Sequence, residues 1–179
     1  MMKRLVMVML VSLMVLPLSV NAADFREGDR EFTLSGGGTS DKNFDASSVS
    51  IEANFGYFTK NNLELLIRQK IQFVDTEGSS SIWDFSTRLV ADYYLDMKFR
   101  GRMKPMKVFV GACVGYIYDK DFDGEFTAGP EVGLKYFFND TTFATVIVAY
   151  NFNFEDTDDA DDSFKDGRFD YTFGIGFKF

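Results

Sequence analysis

The sequence predicts an all-β fold, an eight-stranded antiparallel up-and-down transmembrane β-barrel behind a cleavable signal peptide, on three observations. The last twelve residues alternate without an error. Phe169, Tyr171, Phe173, Ile175, Phe177 and Phe179 fall on one face, and Arg168, Asp170, Thr172, Gly174, Gly176 and Lys178 on the other. Period 2 marks a strand, because successive side chains leave a pleated backbone on opposite sides. Seven further segments between Arg30 and Phe154 carry related patterns. Each is near the roughly 9 to 11 residues that a tilted strand needs to cross a bilayer. The third observation is volume. An eight-stranded barrel encloses only enough space for side chains, so the bulky face must point outward, and the face of glycines and charges must point in.

Residues 1–22 read as a secretory signal: a basic start at Lys3 and Arg4, an apolar run from Leu5 to Val20, and small or modest residues at Val20-Asn21-Ala22. The sixteen-residue run, broken by Ser12 and Pro17, is short of the roughly 20 residues of a spanning helix. The barrel domain is therefore expected over 23–179. Losing Lys3 and Arg4 takes the net charge from −8 to −10, which disfavours nucleic acid as a partner.

The first strand, about 30–38, puts Phe32 and Leu34 on one face and is weakened by Gly36-Gly37-Gly38. The second, 48–58, sets Val49, Ile51, Ala53, Phe55 and Tyr57 against Ser50, Glu52, Asn54 and Gly56. A turn at Thr59–Asn62 leads to the third, where Leu63, Leu65, Ile67, Ile71 and Phe73 oppose Glu64, Arg68, Lys70 and Gln72; Leu66 and Gln69 break the pattern. The fourth, 82–95, carries Asp84, Arg88 and Asp92 inward, and the fifth brings Gly111, Cys113 and Gly115 inward. Cys113 is the single cysteine, so it forms no intramolecular disulfide and counts as a small packing residue. The sixth sets Glu131, Gly133 and Lys135 against Val132, Leu134 and Tyr136. A closed barrel has no free edge to excuse a proline, so a bulge or strand end is expected at Gly129-Pro130. The seventh, 144–154, opposes Ala144, Val146, Val148, Tyr150, Phe152 and Phe154 to Thr145, Asn151 and Asn153.

By parity ten charges face inward: Glu52, Arg68, Lys70, Asp84, Arg88, Asp92, Glu131, Lys135, Arg168 and Asp170. Five are basic and five acidic, and each would cost several kcal/mol if left unpaired, so a locked lumen charge network is expected. Aromatics sort into two belts, one with Phe32, Tyr57, Tyr93, Tyr136, Phe143, Phe177 and Phe179, the other with Phe73, Trp83, Phe85, Tyr116, Tyr118, Phe152, Phe154 and Phe169. The four expected outer loops carry −1, −2, −3 and −6, whereas the inner turns carry +1, +3 and −1.

Taken together, the chain after its signal resembles the small eight-stranded outer-membrane barrel families of the OmpA and OmpW kind, in Gram-negative-type cell envelopes. The resemblance implies that a final strand ending in Phe179, with Phe177 and Tyr171, serves as an assembly signal read by the outer-membrane assembly machinery. It also implies contact with outer-membrane lipid and lipopolysaccharide.

Two acidic stretches invite a metal reading. Asp119, Asp121 and Asp123, before Gly124, match the first half of a calcium loop; the second half fails, with Pro130 at position twelve. The run 155–162 reads as a solvated loop that could bridge to lipid phosphates through divalent cations. No cofactor is expected and no enzyme, since without histidine no Ser-His or Cys-His pair exists and paired acids belong to the interior network. The expected role is structural or surface-interacting. The alternatives are a narrow channel for small or hydrophobic solutes, and a soluble periplasmic ligand-binding barrel with its apolar face inside.

Overall fold

In the computed structural model the alternating segments become eight strands: β1 (Arg30–Ser40), β2 (Ser47–Lys60), β3 (Leu63–Val74), β4 (Ile82–Leu95), β5 (Met106–Tyr118), β6 (Gly124–Phe137), β7 (Thr142–Phe154) and β8 (Arg168–Lys178). The structure describes residues 24–40, 47–74, 82–96, 105–118, 124–154 and 167–179. The signal peptide, most of each acidic loop and Asp119, Asp121 and Asp123 lie outside these residues.

Each strand pairs antiparallel with its sequence neighbours, and β1 also pairs with β8, closing the sheet. Phe32 stands between Phe55 of β2 and Phe177 of β8. The seam extends past the last strand: Arg30 N–H donates to the Phe179 carbonyl at 2.9 Å, and Phe179 N–H returns a bond to the Arg30 carbonyl at 2.8 Å. Gly36-Gly37-Gly38 does not fray, because both flanks of this stretch are paired, with β2 and with β8. A closed cylinder also fits a membrane, since all ladder partners are internal. Among the described residues no helix is long and apolar enough to span a membrane.

Side-chain direction settles inside and outside. Val49 is 71% exposed, Ile51 64% and Leu89 59%, while Arg68 is 2% and Arg88 1% exposed. This is a water-soluble core turned inside out, which excludes the soluble barrel with an apolar interior. The outer face is a band of Leu, Ile, Val and aromatic side chains suited to hydrocarbon. Gln69, an exception on that face, is satisfied locally: the Thr87 hydroxyl donates to its Oε1 at 2.7 Å, and its Nε2 donates to the Tyr118 hydroxyl at 3.2 Å.

Two expectations need correction. β6 neither ends nor bulges at Gly129-Pro130; it pairs with β5 throughout, and only its ladder to β7 lapses, between Ala128↔Phe152 and Glu131↔Ala149, with the register unchanged. Proline lacks the N–H for a ladder bond, and here the loss is confined to one flank. Phe143 is not part of an aromatic belt. It is fully buried inside the barrel, because it falls on the same parity as Thr145 and Ile147 rather than with Ala144 and Val146.

The tight turns, the start of β1 and the end of β8 gather at one mouth, here called the turn end. Asn61 and Asn62 join β2 to β3 beside a register shift at Phe58/Lys60. Asn139 shapes the β6–β7 turn, its Oδ1 accepting from the N–H groups of Thr141 at 2.9 Å and Thr142 at 2.7 Å. A side-chain oxygen thus takes the backbone donors that the turn would otherwise leave unpaired.

Candidate functional site

The feature that distinguishes this barrel is what fills it. Strand register creates an electrostatic problem, because Arg68 of β3 lies directly opposite Arg88 of β4, and Glu64 opposite Asp92. Like charges facing each other on adjacent strands are destabilising. The solution is to reach across the lumen. Arg68 makes a two-pronged bond to Glu131 of β6, Nη1 to Oε2 at 2.8 Å and Nη2 to Oε1 at 3.0 Å, and its Nε donates to Asn54 Oδ1 at 2.9 Å. Glu52 also stands 3.5 Å from that Nε. Arg88 turns the other way, Nη1 to Asp170 Oδ2 of β8 at 2.9 Å. The two guanidiniums diverge, and each ties together strands that are not neighbours.

Asp170 is the second hub. Its Oδ2 also receives Lys70 Nζ at 3.3 Å and Asn151 Nδ2 at 3.1 Å, and Arg168 lies 3.7 Å from its other oxygen. Cys113 joins this layer, its thiol donating to Asn151 Oδ1 at 3.2 Å. Charged fork-to-carboxylate bonds of this kind are the stronger ones and hold their geometry. The small residues make room for them. A Cβ on Gly111 would collide with the Asp92 carboxylate, and one on Gly115 with the Arg88 side chain, so glycine across the ladder is what lets a long polar chain lie flat against the wall.

Below this layer Lys135 of β6 forms the third hub, bonded to Glu31 of β1 and, at 3.2 Å, to Glu64 of β3. The Tyr94 hydroxyl donates to the same Glu64 oxygen at 2.6 Å. Glu31 and Glu64 were not among the ten inward charges read from the sequence. Glu64 shares the inward parity of Arg68 on β3, and Glu31 sits one residue into β1, where parity is hard to anchor. With them the balance changes. Among the described residues Glu31, Glu52, Glu64, Asp92 and Glu131 meet Arg68 and Lys135 toward the turn end. Toward the loop end Lys70, Arg88 and Arg168 converge on Asp170, with half-buried Asp84 nearby.

Closest to the turn end the filling becomes aromatic. Phe58, Tyr94, Phe109, Phe137 and Phe143 come from five strands and are buried. Phe25, which precedes β1, enters among them from below, stacked on Phe58 with centroids 4.1 Å apart and rings 16° from parallel. The Lys135 ammonium lies 4.8 Å from the Phe143 centroid and 5.1 Å from that of Tyr94, within the range of cation–π attraction. Nothing in the alternation of the strands marks Phe25; a lone phenylalanine before Arg30 carries no period. At the rim Asp24 is bonded to Lys107 at 2.9 Å. The hydrogen bond and charge of Lys107 hold its carboxyl below the ordinary value of 3.8.

Among the described residues no group of three or more His, Cys, Asp or Glu side chains is arranged to hold a metal ion. The arrangement fills the lumen with side chains bonded to one another across it.

No protein-family model matches the chain, and no curated protein matches it. Solved structures do. The N-terminal β-barrel domain of Pseudomonas aeruginosa OprF matches with a TM-score of 0.60 at 18% identity, over 86% of this chain and 98% of that one. Neisserial surface protein A matches with a TM-score of 0.63 at 16% identity, over 85% and 97%. A de novo designed transmembrane β-barrel matches with a TM-score of 0.52 at 15% identity, over 87% and 99%. The chain thus has the fold of the eight-stranded outer-membrane barrels. That a designed barrel shares it shows how little the fold says about activity.

Proposed function

We infer that the chain is an integral outer-membrane protein with a structural or surface-interaction role, and that its lumen is closed to ions and solutes by its own side chains. One observation carries the reading: the cross-lumen bonds Arg68–Glu131, Arg88–Asp170 and Lys135–Glu64 connect non-adjacent strands through the space a water column would need. An eight-stranded wall leaves little room beside them. The chain's outward apolar band supports the membrane location, and the fold shared with OprF and the neisserial surface protein supports the outer membrane in particular. The triple glycine of β1, which would have favoured a channel with a weak wall, is fully paired. Purified protein reconstituted in a planar bilayer should give no steady conductance; a stable, reproducible open channel would replace this reading with a solute channel.

On this reading the contacts are with lipid outside and with lipopolysaccharide at the acidic loop end, where divalent cations would bridge carboxylates to phosphates. Phe179, Phe177 and Tyr171 serve as the assembly signal. All three side chains face outward, and Phe179 stands at the closing seam. Deleting Phe179 should lower the amount of protein reaching the outer membrane several-fold, as quantified by blotting, while barrels refolded in detergent keep their heat-dependent gel mobility. An undiminished outer-membrane level would remove Phe179 from that role.

A further inference from the structure

The aromatic layer at the turn end contains one ring that does not belong to the sheet. Phe58, Tyr94, Phe109, Phe137 and Phe143 are fixed on β2, β4, β5, β6 and β7, whereas Phe25 arrives on a short segment that makes no strand. That segment reaches the lumen through a turn at Gly28, whose φ of 93° is in the left-handed region, where glycine alone is unstrained. Few bonds attach it. Gly28 N–H donates to the Phe58 carbonyl at 2.9 Å, Glu27 N–H to Asn61 Oδ1 at 3.0 Å, and Phe58 N–H to the Asp29 carbonyl at 2.9 Å. At the rim Lys107 pairs with Asp24 at 2.9 Å, and Lys178 donates to the Asp24 backbone carbonyl and pairs with Asp29 Oδ2, both at 3.1 Å. The Lys107–Asp24 pair is open to solvent on its Asp24 side, and exposed pairs of that kind are weak; the Lys178–Asp29 pair is partly covered.

The geometry has two halves, a cage and a rim. The cage holds one ring against Phe58 at 4.1 Å and Tyr94 at 4.5 Å, edge-on to Phe137 at 5.7 Å, with the Lys135 ammonium 5.7 Å from its centroid. The rim presents Lys107 and Lys178 to the carboxylates flanking that ring, Lys178 itself lying 5.8 Å from the ring centre. An aromatic ring with an anionic group a few bonds away meets both halves, and Asp24-Phe25 is such a ligand attached to the chain.

We propose that the turn-end mouth is a binding site for a small arylalkyl carboxylate, and that Asp24-Phe25 is its resident occupant, docked reversibly and competing with ligands from solution. The walls are preformed by the strands, so the site persists when the segment leaves. A tethered occupant acts at an effective concentration on the order of millimolar, which keeps weak ligands out of the unaltered protein. The cross-lumen bonds lie beyond the cage, so occupancy at this mouth opens no path through the barrel and the site stands apart from the closed-lumen reading.

The test uses the full chain, refolded in detergent, with 3-phenylpropionate as probe and 3-cyclohexylpropionate and benzyl alcohol as comparisons. Binding is read by saturation-transfer NMR and by the shift in thermal unfolding. Phe25→Ala should bind 3-phenylpropionate at least tenfold more tightly than the unaltered chain and regain part of the unfolding temperature it lost. Both comparison compounds should bind several-fold more weakly, and adding Lys178→Met to Phe25→Ala should cost a further several-fold. Phe25→Leu should give the same ordering with smaller changes. Equal binding by the unaltered chain, no binding by either Phe25 variant, or indifference to the carboxylate or to Lys178 would overturn the proposal. So would failure of both Phe25→Ala and Phe25→Leu to fold, since Phe25 would then be obligatory core and not an exchangeable occupant.

Discussion

The polar and the aromatic layers that fill the lumen do so by different chemistry. Around Arg68, Arg88 and Asp170 the space is filled by ions that lock onto one another across the barrel, whereas around Phe58, Tyr94 and Phe143 it is filled by mostly tilted rings with one ammonium at their edge. The polar layer is specific. A guanidinium must meet its carboxylate within a few tenths of an ångström, and removing either partner strands the other in a place with little water. The aromatic layer is tolerant in direction but sensitive to volume, because its cohesion is contact area. The comparison teaches why each layer stands where it does: rings suit the mouth, where the segment before β1 supplies one more, and ion pairs suit the middle, where walls on all sides hold the donors in place.

The largest effect expected from breaking this comparison is at Arg68. Arg68→Met leaves Glu131 without its two-pronged partner and Glu52 without its neighbour, and should cost about 3–5 kcal/mol in urea unfolding from lipid vesicles, the range for one buried partner removed. Arg88→Met should cost less, because Asp170 keeps Lys70 and Asn151. If the two variants lose the same stability, the idea of a shared hub at Asp170 fails.

In the aromatic layer, Phe143→Ala removes a ring that touches Phe137 at 5.3 Å between centroids. Deleting a buried phenylalanine costs roughly 3–5 kcal/mol in a sealed core. Here the expectation is the lower end of that range, since water can enter from the mouth. A loss well above that of Arg68→Met would show that the rings, not the ions, hold the barrel shut.

The smallest effect concerns pH at the rim. Asp24 is held below its ordinary value of 3.8 by Lys107, so the stability it contributes is complete above that value and is lost as pH falls through the lower, folded-state value. Comparing unaltered and Asp24→Asn barrels, the thermal unfolding temperature should differ slightly at pH 7 and converge at the acid end. A difference that persists unchanged in strong acid would mean that the carboxylate charge is not what fastens the segment.

What could be read from the sequence alone follows from period and volume. Alternation in 168–179 and in 48–58 is a local property, dictated by the pleat, and needs no knowledge of neighbours. The choice of outward face followed from the limited bore of eight strands. Inward parity also marked Arg68, Arg88, Lys135 and Asp170, because every second residue of a strand shares a face. What only the tertiary structure decided is who meets whom. That Arg68 crosses to Glu131 while Arg88 turns to Asp170 depends on the register of β3 against β4 and on which walls face each other. A two-residue slip would change every partner while leaving each side chain on its own face. Phe143 shows the same limit: its position at a strand end suggests a belt, whereas its parity puts it inside. Phe25 could not be read at all, because a segment outside the strands has no period, and its place was set by a turn at Gly28 and by a cage that exists only once five strands have closed around it.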